Sequence, residues 1–244
     1  MPITRRDLLG ALSASTFFLT VSGISAAQTV RLPEGTAALA FPQGVASGDP
    51  RPDAVMLWTR AIPSGIAPTA ATEQTEKQEP GSITLLLQVS EQEDFSTIAV
   101  ESLLSTNPAS DHTVRVNVAG LQADRHYYYR FLGGAGTASR TGRTRTAPAP
   151  DQARDVTLAF ASCQSFEQGY YGSWARMIAD DAQAAPQDQI HFVLHLGDFI
   201  YERNWNKRYD GTGQSRYVPP FPDGVSTDVN RHAVSLADYR HLYH

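Results

Sequence analysis

Val156-Thr157-Leu158-Ala159-Phe160-Ala161-Ser162-Cys163-Gln164 and Ile190-His191-Phe192-Val193-Leu194-His195-Leu196-Gly197-Asp198-Phe199-Ile200-Tyr201 are the two stretches whose reading decides the fold. Val156 to Ala161 is a continuous apolar run, the pattern of a strand buried in a parallel sheet, and Ile190 to Leu196 reads as a second buried strand. Between them, Gly172 to Ala184 sets Trp174, Met177, Ile178 and Ala182 at helical spacing. Strand, helix, strand in that order is a βαβ unit, whose parallel strands send both following loops to one edge of the sheet. Open α/β sheets bind their ligands at that edge. Cys163, Asp198 and Tyr201 are therefore expected to converge although distant in sequence. Gly197 frees the backbone to turn sharply, and Asp198 and Tyr201 are close enough in sequence for one tight turn to aim both side chains at one point.

On the N-terminal side the pattern changes at Thr146-Ala147-Pro148-Ala149-Pro150, a stiff extended linker. Upstream, Ile83, Leu85, Leu87 and Val89 share one parity, as do Val114, Val116 and Val118, and then Tyr127, Tyr129 and Phe131. Period two with mixed faces describes half-buried strands. The turn residues Asn107-Pro108, Ala119-Gly120 and Gly133-Gly134 separate them, so residues 39–150 read as a β-sandwich. Leu121 and Tyr127 have the placement of a tyrosine corner, which is found in immunoglobulin-like and fibronectin-like sandwiches. Ser64 to Pro80 is polar and reads as a mobile loop.

On the C-terminal side, Asn204 to Arg231 reads as a long loop. Ser235 and Asp238 are spaced to cap a last helix containing Leu236, Tyr239 and Tyr243. That helix is still in progress at His244, which leads us to expect a truncated domain.

The chain has 244 residues, 41% of them hydrophobic and 18% charged, with a formal net charge of −5. This is ordinary globular composition. No basic run offers the positive stripe that a nucleic-acid backbone would attract. A weakly acidic surface collects anions poorly, so a phosphate site would depend on local positive charge such as bound metal. Arg5 and Arg6 precede the apolar stretch Leu8 to Ile24, and Ser25-Ala26-Ala27 supplies small residues for a signal peptidase. Residues 1–27 are thus expected to be a secretory signal, cut between Ala27 and Gln28 and too short to span a membrane. Thr4-Arg5-Arg6-Asp7-Leu8-Leu9 resembles the twin-arginine type, which implies the twin-arginine export machinery as partner and a periplasmic or secreted location. Cys163 is the one cysteine, so no internal disulfide forms, and no membrane span is expected after the signal.

A thiolate, a carboxylate and a phenolate are anionic when they ligate. Together Cys163, Asp198 and Tyr201 suit a hard, highly charged cation that also accepts sulfur: ferric iron first, zinc as the alternative. The carboxylate can bridge to a second cation preferring oxygen, as calcium does. Taken singly, Cys163 is also readable as a packed small hydrophobe, Gly197-Asp198 as a common turn and Tyr201 as a half-buried aromatic. His191 and His195 read as packing histidines or as residues behind the ligands. Asp180-Asp181 reads as a solvated helix face. His232, His241 and His244 lie in a loop and a helix with no ligand-like context.

Gly197-Asp198-Phe199-Ile200-Tyr201 is similar to the GDxxY motif of metallophosphatases, in which the Asp bridges two metals and the Tyr binds ferric iron. Ala161-Ser162-Cys163-Gln164 resembles the first metal loop of the alkaline phosphatase D family, where a Cys binds the iron. Phe41 to Pro50, Leu57-Trp58-Thr59-Arg60, Tyr127 to Phe131 and Gly142 to Pro148 look like the N-terminal sandwich of the same family. The resemblance implies an α+β protein of two domains. An immunoglobulin- or fibronectin-like sandwich over 39–150 would be followed by the start of an αββα metallophosphatase domain over 155–244. It also implies hydrolysis of small phosphate monoesters or diesters with iron and calcium. The later Asn and His motifs of that family are not found after Tyr201, so this chain is expected to be an inactive N-terminal portion by itself. The alternative is a secreted, non-catalytic binding module.

Overall fold

Leu85, Leu87 and Val89 are fully buried, and their alternation along β6 (Ile83–Ser90) is what seats one sheet on the other. In the computed structural model, residues 17–20, 30–64, 81–167, 169–202 and 232–244 are described. The chain divides into two compact units: one includes the described residues up to Ala153, and the other begins at Arg154.

In the first unit, β6 pairs antiparallel with β7 (Val100–Thr106) and β9 (His126–Leu132), and β9 pairs with β10 (Gly142–Arg145). A second sheet runs β3 (Val45–Gly48), β4 (Ala54–Arg60), β8 (Thr113–Ala119) and β1 (Phe17–Thr20). A short pair, β2 (Leu39–Ala40) with β5 (Ile62–Pro63), lies beside them. Val55, Leu57, Val114, Val116 and Val118 from the β4–β8 sheet share one core with Leu85, Leu87, Tyr127, Tyr129 and Phe131 from the other. The three alternating runs read from sequence are the buried faces of β6, β8 and β9. The corner also forms: the Gln122 amide donates to Tyr127 Oη at 2.9 Å. Strand β4 carries no alternating signal because Met56 and Trp58, between inward Val55, Leu57 and Thr59, are themselves apolar.

Phe17–Thr20 falls inside the expected signal and runs parallel to β8, Phe17 opposite Val116 and Thr20 opposite Ala119. The remainder of the expected signal, the expected mobile loop apart from Ser64, and the expected long loop of Asn204 to Arg231 lie outside the described residues.

The second unit holds β11 (Leu158–Ala161) and β12 (Phe192–His195), paired in parallel, with helix α1 (Gly172–Gln183) between them in sequence. Helix α2 (Leu236–Tyr243) ends the chain behind the expected capping box: Ser235 Oγ accepts from the Asp238 amide at 3.1 Å, and Asp238 accepts from the Ser235 amide at 3.1 Å. The expected burial of the two strands is not met. Phe160 is 71% exposed, and Leu158, Phe192 and Leu194 are exposed as well. Among the described residues this sheet has two strands, too few to cover both faces of a parallel pair. The Asp180-Asp181 reading also needs correction. Asp180 pairs with Arg176 on the solvent face at 2.8 Å. Asp181, however, accepts from the Ile190 amide at 2.6 Å, which ties the helix end to the entry of β12.

Candidate metal centre

Pairing between the two parallel strands continues into the loops that follow them. The Leu196 amide donates to Ala161 O at 2.8 Å, the Cys163 amide to Gly197 O at 3.1 Å and the Gln164 amide to Asp198 O at 3.1 Å. The loops therefore leave the sheet side by side. Cys163 (φ 59°) and Asp198 (φ 52°) both adopt the left-handed region, and Gly197 between strand and Asp198 has φ 120°. Left-handed backbone is costly for residues with a Cβ and collects at functional sites.

This backbone brings the three expected side chains together. Cys163 Sγ donates to Asp198 Oδ2 at 3.3 Å, and Tyr201 Oη donates to the same oxygen at 3.5 Å. All three lie at the exposed edge of the sheet. The Tyr201 phenol is pushed above its ordinary value, chiefly by its hydrogen bond with Cys163, then by partial desolvation and by the negative charge of Asp198 and Cys163. Two acidic groups share one carboxylate oxygen, so full ionisation would place three negative charges in contact. Such a donor set could hold a cation that accepts sulfur as well as oxygen donors. Among the described residues no group of three or more His, Cys, Asp or Glu gathers. Tyr201 is what makes this cluster a triad.

The remaining candidates go elsewhere. His191 lies before β12, taking a hydrogen bond from Arg154 Nη2 at 2.5 Å on Nε2 and facing Thr157 O with Nδ1 at 3.3 Å. His232 Nδ1 contacts Glu202 Oε1 at 3.3 Å. His241 and His244 belong to the end of α2. His195 stands closest to the centre: its Nδ1 accepts from the Gly197 amide at 3.3 Å, and its ring stacks on Trp174 with centroids 6.2 Å apart. Phe199 meets His195 edge-on at 5.2 Å and stacks on Tyr243 at 6.1 Å, completing an aromatic row beneath the loop. The sequence places Gln164 in the first loop and Trp174 on the helix stripe without giving either a role at the site. Their signal was a polar residue directly after the cysteine and a Trp on the apolar stripe of the helix.

The model of the PhoD-like phosphatase N-terminal domain matches residues 25–148, and that of the PhoD-like phosphatase domain matches residues 158–244. The chain belongs to the PhoD-like phosphatase family. It is 31% identical to alkaline phosphatase D of Bacillus subtilis (strain 168) over 235 residues, 96% of this chain and 36% of that protein. A solved structure of PhoD superposes with a TM-score of 0.66 at 31% identity, covering 87% of this chain and 36% of that one. The chain thus spans about a third of the length of both relatives. Among the described residues no helix is long and apolar enough to cross a membrane.

Proposed function

We propose that this chain is the N-terminal part of an exported phosphatase or phosphodiesterase in which Cys163, Asp198 and Tyr201 hold ferric iron and Asp198 also serves a calcium ion. The observation that carries this reading is the approach of Cys163 Sγ and Tyr201 Oη to Asp198 Oδ2, at 3.3 and 3.5 Å. When bound, the metal pair would supply a water of lowered pKa and a clamp for the phosphoryl group. In that reading Cys163 and Tyr201 would bind the cation as anions, and Asp198 would be the carboxylate available to both metals. The raised Tyr201 phenol holds its proton more firmly, so binding a cation there would have to displace it. A net charge of −5 leaves little long-range attraction for a small phosphate ester, so the substrate would be held locally.

The same reading assigns residues 1–27 to a twin-arginine signal, engaging the twin-arginine machinery and leading to the periplasm or beyond. It assigns residues 39–150 to an immunoglobulin- or fibronectin-like sandwich and 155–244 to the start of the metallophosphatase domain. The Tyr127 corner and the division of the chain after Ala153 support those boundaries. Three protein donors among the described residues are fewer than the four or more a tightly held iron takes, so the 244-residue chain alone should retain metal weakly and turn over no ester.

The test compares this chain with one extended beyond His244 by the remaining part of the Bacillus subtilis relative. The extended chain should take up iron, absorb in the visible through its thiolate and phenolate, and hydrolyse a phosphodiester. Cys163→Ala or Tyr201→Phe should weaken the band, and Asp198→Asn should lower activity by about a hundredfold or more. Full activity of the Asp198→Asn extended chain would overturn the assignment. Absence of both band and activity in the extended chain would favour a non-catalytic binding module.

A further inference from the structure

Gln164 touches the candidate centre from three directions at once. Its backbone amide donates to Asp198 O at 3.1 Å, and its side-chain Nε2 donates to Phe199 O at 3.0 Å. Its Oε1 accepts from Trp174 Nε1 at 2.9 Å. Trp174 stacks on His195, and His195 Nδ1 accepts from the Gly197 amide, one residue before Asp198. These contacts close a ring from Gln164 to helix α1, across to β12 and back to Asp198. Inside that ring lie the two left-handed residues, Cys163 and Asp198. Such backbone relaxes unless its surroundings over-determine it. Backbone pairing alone does not do so here, because the two loops are exposed and belong to a sheet with two strands among the described residues. A side-chain amide satisfied at both ends has one orientation, whereas a shorter or apolar side chain would leave Phe199 O and Trp174 Nε1 without these partners.

We propose that Gln164, held by Trp174, is the positioning residue that keeps the Cys163 and Asp198 loops in register and so sets the spacing of the three donors. Its consequence for metal rests on the metal-centre reading above, while its consequence for the backbone does not. Among the described residues Gln164 bonds backbone and Trp174, so it acts through Cys163 and Asp198 as a positioning residue.

The experiment uses the full 244-residue chain and two readouts. Hydrogen exchange is followed at the amides of Cys163 and Gln164, and Co2+ is titrated while thiolate-to-cobalt absorption is recorded. Gln164→Ala should speed exchange at both amides by about tenfold or more and shift the cobalt midpoint upward by a similar factor. Trp174→Phe keeps the aromatic stack and removes the Nε1 donor, so it should move both readouts in the same direction by less. It decides the matter if Gln164→Ala does not fold. Arg176→Ala, on the exposed face of the same helix, should leave both unchanged. Accelerated exchange with no cobalt band even in the unsubstituted chain would support the register role and leave the metal reading to the extended chain. A cobalt band that Gln164→Ala and Trp174→Phe leave at its original midpoint, with exchange unaltered, would overturn the proposal and leave the metal reading standing.

Discussion

Tyr129 and Tyr201 are two phenols of one chain with opposite settings. Tyr129 is 2% exposed at the centre of the sandwich, and burial pushes its phenol up to about 12, partly offset by a hydrogen bond with Ser47. Tyr201 is also raised, but by Cys163 and Asp198 at an open edge where solvent screens any effect on stability. The linkage for Tyr129 has a definite sign. A folded value above the unfolded one near 10 means that the native state holds its proton more tightly. The contribution is therefore complete below pH 10 and is lost as pH rises toward 12. Over that window the sandwich should lose roughly 3 kcal/mol from this group alone. Denaturant melts at stepped alkaline pH, alongside absorbance titration of the phenolate, check this. Tyr129→Phe should flatten the dependence, and an unchanged profile in that variant would refute it. The chemistry of both residues was legible as residue type. Their settings were not, because desolvation and neighbouring charge come from parts of the chain distant in sequence.

Among the elements, β6, β8 and β9 were readable because each presents one apolar face to a core and one mixed face outward. β10 was not, since Gly142-Arg143-Thr144-Arg145 has no apolar face, and its place follows from pairing with β9. Gly142 lies opposite Tyr129, so close that a Cβ there would fall 2.5 Å from Tyr129 Cε1 and 2.7 Å from its hydroxyl oxygen. The ring is locked by the core and cannot yield cheaply. Gly142→Ala should therefore destabilise the sandwich by about 1–3 kcal/mol despite raising local strand propensity. Equilibrium unfolding measures it, and a stability equal to the parent chain would contradict this packing. The helices α1 and α2 were readable from periodicity and, for α2, from the Ser235–Asp238 cap. The bond from the Ile190 amide to Asp181 was not, because nothing local in the sequence distinguishes that carboxylate from a solvated one.

Over the whole molecule, apolar surface is distributed unevenly between the two units. The first buries its large residues around one core. The second leaves Phe160 71%, Leu196 60%, Ile178 68% and Leu194 49% exposed, on both strands and the helix. Apolar side chains concentrated in this way mark a surface that binds something, or a sheet with open edges that associates with itself. In dilute solution the 244-residue chain should bind a hydrophobic dye and sediment as larger species with rising concentration. Phe160→Glu should reduce both by at least about twofold while leaving the melt of the sandwich unchanged. A monodisperse chain that binds no dye would show that these residues are covered in solution.

By itself the sequence determined the period-two strands of the first unit, the βαβ order of the second, the cap of the last helix and the three residue types suited to a cation. Each of these depends on neighbours a few positions away, where periodicity, turn chemistry and side-chain identity act directly. The tertiary structure alone decided that Cys163 and Asp198 take left-handed backbone, that Gln164 and Trp174 close a ring around them, and that the strands carrying the site are exposed. Those features depend on contacts between Cys163 and Asp198, Gln164 and Phe199, or Trp174 and His195. Such pairs are separated along the chain and meet only when the parallel pairing of β11 with β12 brings the two loops to one edge.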